Sequence, residues 1–352
     1  MRYEFDITSS QGSYSVTIGE HSLVNAVSGC DIVVVDAAVA AVIPYDASPS
    51  VVMLVADESI KTLHGVESLS LQLREHGVGR QSRMLAIGGG TIQDVATLTS
   101  SLYMRGIEWV YAPTTLMAMG DSCIGGKSAI NAGGFKNLLG NFNPPNAVAI
   151  DPRFALSQSI PAQMCGVAEA VKICYAGGEE PFNRFVSAID WDAPLDAETI
   201  AEMVRQSLLA KKEIVEEDEF DTGRRQLLNF GHTFGHALES ASSMQLPHGL
   251  AVALGIRSAL AHPCAQASAL AARLDGFAAQ VLRRALEGGW SMPDVDWSRF
   301  ESALDADKKH TVDHFRLVLP GPFGALRIVE LPRTAEILRQ CRVTTQTVVE
   351  EL

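Results

Sequence analysis

Basic residues are scarce in this chain: 28 Lys and Arg stand against 41 Asp and Glu, a formal net charge of -13 over 352 residues. So acidic a balance disfavours nucleic acid and anionic membranes as partners. It still allows an anionic small molecule in a locally basic pocket. No run approaches the roughly 20 uninterrupted apolar residues of a membrane span, and the start, MRYEFDITSS, lacks a signal-peptide pattern. The six cysteines (Cys30, Cys123, Cys165, Cys174, Cys264 and Cys341) form no CxxC pair, so reduced thiols in the cytoplasm are the simplest reading. Internal repeats and low-complexity linkers are also missing. Hydrophobic residues, by contrast, make up 47% of the chain, which excludes wholesale disorder. The length suggests two domains, because single cores stop growing at roughly 250–300 residues.

The first half alternates short apolar runs with helical patterns. DIVVVD (31–36), VVMLVA (51–56), RMLAIGGG (83–90) and WVYAPTT (109–115) read as strands, and a hairpin is expected around Gln11-Gly12. Strands alternating with helices imply a mostly parallel sheet that binds ligands at its carboxyl ends. After AVAID (147–151) helical periods dominate, through PAQMCGVAEAVKICY, AETIAEMVRQSLLAKKEIVEED, RRQLLNFGHTFGHALES, HGLAVALGIRSALA and FAAQVLRRALE. Two strand-like runs, HFRLVLPG and ALRIVELP, precede a final helix near 334–352. The expected division is an α/β nucleotide-binding domain over 1–155 and a mainly helical domain over 156–352.

AIGGGTIQD places Gly88, Gly89 and Gly90 where a strand passes into a helix. Glycine there lets a backbone approach a pyrophosphate, whose charge the helix N-terminus favours; a tight strand-to-helix turn has the same appearance. Asp36 ends a strand, where an acid can hold an adenosine ribose or simply face water. Thr114 and Thr115 end another, within reach of a nucleotide or of a helix cap. Asp121, Lys127, Lys136 and Asn137 crowd a Gly-rich segment of the kind that binds phosphate.

In RRQLLNFGHTFGHALE, a continuous helix would set Arg225, Asn229, His232 and His236 within a sector of roughly 60°. Gly231 and Gly235 thin its flank so that another segment can approach. A metal needs further ligands. His248 opens the next helix, and Glu169 in GVAEAVK shares a helix face with Lys172. One Glu and two His make a plausible catalytic zinc site with open positions, and the absence of HExxH disfavours a zincin protease.

Taken in order, GGGTIQD, YMRG, PTTLMAMGDSCIGGKSAIN, FKN, GVAEAVK, RRQLLNFGHTFGHALE, LPHG and DKK resemble the sugar phosphate cyclases, the dehydroquinate synthase group most of all. The resemblance implies a Rossmann-like α/β N-terminal domain, a mainly α-helical C-terminal metal domain, NAD, Zn2+ or Co2+, and a homodimer. It implies Glu169, His232 and His248 as metal ligands, with His236 beside the substrate phosphate instead. Asp121, Lys172 and Lys211 would surround substrate hydroxyls and carboxylate, with Asp221 near the site. Lys127, Asn137, Asn229 and one of Lys308 and Lys309 would lie on the phosphate side, and Arg105 would reach the partner's site. Asp36, Glu58, Lys61, Gly89, Gly90, Thr91, Asp94, Thr114, Thr115 and Lys136 would hold the cofactor.

The implied chemistry is transient oxidation of a substrate alcohol, β-elimination of phosphate, return of the hydride, ring opening and aldol closure, with no net redox change. By the same resemblance Arg225 stands where the dehydroquinate synthases face the substrate carboxylate, and a guanidinium suits a carboxylate better than neutral hydroxyls, which favours conversion of 3-deoxy-D-arabino-heptulosonate 7-phosphate to 3-dehydroquinate over cyclisation of sedoheptulose 7-phosphate. A metal-dependent alcohol dehydrogenase of the same superfold is the other enzymatic reading, and the lysine cluster argues against it. Three departures point to a divergent branch: Gln93 where glycine is usual, Asp221 where glutamate is usual, and a shortened segment after Lys172.

Overall fold

The computed structural model describes residues 2–43 and 50–352. Two compact units make up the chain: Met1–Ser157 with Asp190–Phe220, and Gln158–Ile189 with Asp221–Leu352. The expected single division at residue 155 therefore differs in one stretch. The helix Ala197–Glu217 belongs to the first unit. Its polar ties explain why: the buried Ser207 hydroxyl donates to the Gly120 carbonyl at 2.6 Å, and the Tyr3 hydroxyl donates to Glu202 at 2.9 Å.

The first unit is built on seven strands: β1 (Arg2–Ser9), β2 (Gly12–Gly19), β3 (Ile32–Asp36), β4 (Ser50–Leu54), β5 (Arg83–Gly88), β6 (Glu108–Pro113) and, after a small hairpin of β7 (Ile130–Ala132) and β8 (Phe135–Leu139), β9 (Ala147–Ile150). Their order is β1-β2-β9-β6-β5-β3-β4. The β1–β2 hairpin is antiparallel and turns at Ser10-Gln11, while the other pairings are parallel. Ile32, Val33, Val34 and Val35 of β3 are all fully buried, as an unbroken apolar run predicts for a strand covered on both faces. The chain leaves β3 for β4 on one side and returns to β5 on the other. That reversal opens a crevice at the carboxyl ends of β3 and β5, where Asp36 and Gly88–Gly90 stand. The β7–β8 hairpin was not expected from the sequence.

The second unit packs helices backbone to backbone. Its elements include α1 (Ile160–Gly177), α2 (Glu179–Ser187), α3 (His232–Ala241), α4 (His248–Ala261), α5 (Ala269–Glu287), α6 (Trp297–Asp305) and α7 (Ala335–Glu350), with an antiparallel ribbon of β10 (His314–Pro320) and β11 (Leu326–Pro332). Three glycines set the close approaches. A Cβ at Gly255 would lie 2.0 Å from the Gly231 carbonyl oxygen, one at Gly235 2.9 Å from that of Ala251, and one at Gly249 2.3 Å from that of Cys165. Any other residue at these positions would push α3, α4 and α1 apart. Among the described residues, no helix is long and apolar enough to cross a membrane.

One expected element is corrected. RRQLLNFGHTFGHALES is not a continuous helix: Arg224–Asn229 is a 3-10 turn, and α3 starts only at His232. Gly231 takes φ 78°, and a side chain there would meet Val252 and Ile256 at 2.8–2.9 Å. The stripe of Arg225, Asn229, His232 and His236 is therefore interrupted, and only His232 and His236 keep helical spacing.

These packing constraints separate two glycine substitutions. Gly255→Ala should destabilise the protein by about 3 kcal/mol through overpacking. Gly276→Ala, in the interior of α5 with nothing within 4 Å of its Cβ position, should stabilise it by up to about 1 kcal/mol. Denaturant unfolding checks both, and equal shifts for the two would contradict the close-approach account.

Candidate active site

In the second unit, α1 presents Glu169 and Lys172 on one face, both buried at 1% and 2% exposure. Lys172 Nζ donates to Glu169 Oε2 at 2.5 Å. Burial favours the neutral carboxyl, but Lys172 and then His232 and His248 outweigh it and hold Glu169 well below the usual carboxylate range. The other oxygen, Oε1, is buried with no aligned donor. It lies 3.1 Å from His248 Nε2 and 3.6 Å from His232 Nε2.

The hydrogen-bond partners dictate the tautomers. The Phe230 carbonyl can only accept, so His232 Nδ1 donates to it at 3.3 Å and Nε2 presents a lone pair. His248 Nδ1 stands 3.3 Å from Glu239 Oε1, and donation there leaves Nε2 toward Glu169, protonated in the absence of a metal and with a lone pair for a metal once that proton is lost. Two imidazole nitrogens and an orphaned carboxylate oxygen thus face one point, a donor set that fits zinc or cobalt with positions left open. Without a metal, burial opposes charge on His248, but the Glu169 and Glu239 carboxylates raise its pKa to about 10. Burial, with Lys172 second, pushes His232 well below the ordinary histidine value. His236 offers a competing ligand, since one nitrogen each from His232, His236 and His248 lie within 4.8 Å of one another. Burial, then Lys309, then His248 lower its pKa to about 4.

Asn229, Asp221, Lys308 and Lys309 meet around a cavity of about 210 Å³ that Gln226 and Arg316 also line. Lys309 Nζ sits 2.5 Å from Asp307. Arg225 is 3% exposed. Asp221 adopts φ 60°, left-handed backbone that a non-glycine residue rarely takes. The sequence reading overlooked Glu239, Gln226 and Arg316. Glu239 follows His232 and His236 at helical spacing, a signal that was available. Arg316 sits mid-strand in β10, where nothing in the sequence singles it out.

In the first unit, Asp121 and Lys211 form one cluster: Lys211 Nζ lies 2.7 Å from Asp121 Oδ1 and donates to the carbonyls of Asp121 and Ile124 at 2.6 and 3.0 Å. Lys61 centres a second, with Asp94 at 2.9 Å, Asn137 Oδ1 at 3.0 Å and Glu58 at 3.8 Å. Asn137, expected beside phosphate, is therefore tied to groups expected around the cofactor. Lys127, Lys136 and Arg105 are exposed, and Lys127 stands 6.0 Å over the Phe142 ring. At the crevice, Gly89 precedes the helix Gly90–Leu102 without a side-chain cap. A Cβ on Gly89 would touch Thr115 at 3.0 Å, whereas one on Gly90 would meet nothing within 4 Å. Thr91 is the second residue of that helix, and Thr114 is buried with its N–H on the Gly88 carbonyl. The open helix end suits a pyrophosphate, and Asp36, whose Oδ1 accepts from Ala38 N–H at 3.0 Å, ends the neighbouring strand.

A family model described as 3-dehydroquinate synthase N-terminal matches residues 51–164, and one described as 3-dehydroquinate synthase C-terminal matches 166–310. The 3-dehydroquinate synthase of Sulfurovum sp. (strain NBC37-1) is 36% identical over 281 residues, 77% of this chain and 76% of that protein. A 2-deoxy-scyllo-inosose synthase solved with carbaglucose-6-phosphate, NAD+ and Co2+ shares the fold at TM-score 0.82 and 22% identity, covering 98% of this chain and 99% of the other. The 2-epi-5-epi-valiolone synthase of Streptomyces hygroscopicus subsp. jinggangensis 5008, solved with NAD+ and Zn2+, does so at TM-score 0.78 and 24% identity, covering 96% and 97%. With both halves matched and a curated relative above one-third identity over most of its length, the chain belongs to the 3-dehydroquinate synthase family.

Proposed function

We propose that this chain is an NAD- and divalent-metal-dependent sugar phosphate cyclase that converts 3-deoxy-D-arabino-heptulosonate 7-phosphate to 3-dehydroquinate with loss of phosphate, working as a homodimer in the cytoplasm. The observation that carries the reading is Glu169 Oε1, buried, without an aligned donor, and facing Nε2 of both His232 and His248. Glu169, His232 and His248 hold the metal in this reading, and Glu239 orients His248. Gly89, Gly90 and Thr91 receive the dinucleotide pyrophosphate, with Asp36 on its ribose and Glu58, Lys61, Asp94, Thr114, Thr115 and Lys136 around it. When bound, these two groups supply Lewis acidity at a substrate hydroxyl and reversible hydride acceptance.

The remaining residues bind and orient the sugar. Lys172 keeps Glu169 ionised and places its ammonium beside the substrate oxygens. The Asp121–Lys211 pair and Asp221 orient ring hydroxyls. Arg225 takes the carboxylate. Asn229, Lys308 and Lys309, with Lys127 and His236, hold the phosphate and stabilise it as it leaves, while Asn137 stays with the Lys61 cluster on the cofactor side. Arg105, in left-handed, exposed backbone, extends to the partner subunit's site.

Three measurements check this reading. The metal-loaded, NAD-bound protein should release phosphate from 3-deoxy-D-arabino-heptulosonate 7-phosphate, and sedoheptulose 7-phosphate should yield little; the reverse preference would overturn the substrate assignment. Arg225→Ala should lower kcat/KM for the carboxylated sugar roughly 100-fold, as loss of a charged hydrogen bond implies, and similar losses on a neutral sugar phosphate would refute its role. After dialysis, His232→Ala should carry no metal by mass spectrometry, while His236→Ala should retain it. Equal depletion in both variants would move His236 into the ligand set.

A further inference from the structure

Gln93 is a residue that the proposed chemistry does not use, although it is buried in the first unit at 4% exposure. It lies one turn into the helix Gly90–Leu102, immediately before Asp94. Its carboxamide spends both polar atoms on one residue: Nε2 donates to the Ser122 carbonyl at 2.6 Å, and Ser122 Oγ donates to Oε1 at 2.5 Å. A glycine, the usual residue here in the cyclases that the sequence resembles, can form neither bond.

Ser122 closes a π-helical turn, Ala118–Ser122, whose i→i+5 hydrogen bond runs from Cys123 N–H to the Ala118 carbonyl at 3.1 Å. Such turns are uncommon and need outside support against relaxing to α-helical register. At the far end Thr115 Oγ1 accepts from Ala118 N–H at 3.2 Å; at the near end Gln93 grips both the carbonyl and the hydroxyl of Ser122. Between these ties lies Asp121. Its carboxylate and its carbonyl both receive the Lys211 ammonium, at 2.7 and 2.6 Å. Rotation of the Ser122 peptide would therefore displace Asp121 and Lys211 together.

We propose that Gln93 is a positioning residue: by clamping Ser122 it fixes the π-turn and, through it, the placement of the Asp121–Lys211 pair toward substrate. The last step rests on the cyclase reading, in which that pair contacts the sugar. The clamp itself does not. The bidentate geometry distinguishes this role from ordinary satisfaction of a buried amide, because both bonds end on the one residue whose backbone orientation sets the turn.

The test uses full-length protein loaded with metal and NAD. Gln93→Met keeps approximate volume and removes both bonds. Ser122→Ala, a milder change, removes one bond and serves if the first variant folds poorly. Hydrogen exchange at the Cys123 amide, which reports the π-turn, should speed up about 10-fold or more in Gln93→Met, the scale of one lost hydrogen bond. On the carboxylated sugar phosphate, kcat/KM should fall about 10-fold in the wild-type background but less than about 2-fold in an Asp121→Asn background, the non-additivity of residues that act as a unit. NAD affinity, followed by fluorescence, should stay within about 2-fold. Unchanged Cys123 exchange would overturn the clamp, and an equal activity loss in both backgrounds would overturn its role in positioning Asp121. A wild-type protein that released phosphate from no sugar phosphate would defeat the cyclase reading, and the Cys123 exchange would still decide the clamp.

Discussion

Glu169 keeps a negative charge at 1% exposure because Lys172 stands 2.5 Å from one of its oxygens and two imidazoles crowd the other. Taking a carboxylate out of water costs several kcal/mol, so the surrounding fold is committed to supplying positive charge or a cation at that point. The commitment propagates outward. His232 must donate backward to the Phe230 carbonyl, His248 must be turned by Glu239, and α1, α3 and α4 must approach closely enough for all three side chains to converge. Gly231, Gly235, Gly249 and Gly255 make that approach possible, since a Cβ at any of them would strike neighbouring backbone at 2.0–2.9 Å. The glycines are thus as much part of the candidate metal centre as its ligands.

Much of this was legible in the sequence, for physical reasons that can be named. The buried strands announced themselves as apolar runs, and β3, β5 and β6 formed within two residues of their expected bounds. The i, i+3 relation of Glu169 and Lys172 is fixed by helix geometry, and the apolar residues around them implied burial. The break at Gly231 was harder to see. Periodicity ran through it without interruption, and only tertiary contact with Val252 and Ile256 shows why the chain adopts a left-handed conformation there. Helix Ala197–Glu217 reads as helix from its pattern, but its membership in the first unit depends on Ser207 and Tyr3, whose contacts span 87 and 199 residues. Arg316 and Gln226 escaped notice because strand and turn residues carry no periodic mark of the cavity they line.

The first unit shows how a departure from a family pattern acquires meaning only in three dimensions. As a letter in GGGTIQD, Gln93 is an anomaly beside a helix N-terminus. In the fold its amide answers a second anomaly, the π-turn ending at Ser122, and the two compensate each other. A buried amide that were only half satisfied would be costly, so the substitution is tolerable because Ser122 offers both an acceptor and a donor. Asp221, in left-handed backbone, borders the cavity of the second unit, and nothing in the structure explains why aspartate stands there.

The central claim is that Glu169 Oε1, His232 Nε2 and His248 Nε2 bind one divalent metal. Anomalous diffraction at the zinc edge, from crystals of the zinc-loaded protein, measures this directly. The account predicts a single peak about 2.0–2.2 Å from each of those three atoms, with His236 outside bonding distance. A peak ligated by His232, His236 and His248 with Glu169 left on Lys172 alone, or no peak at all, would contradict it.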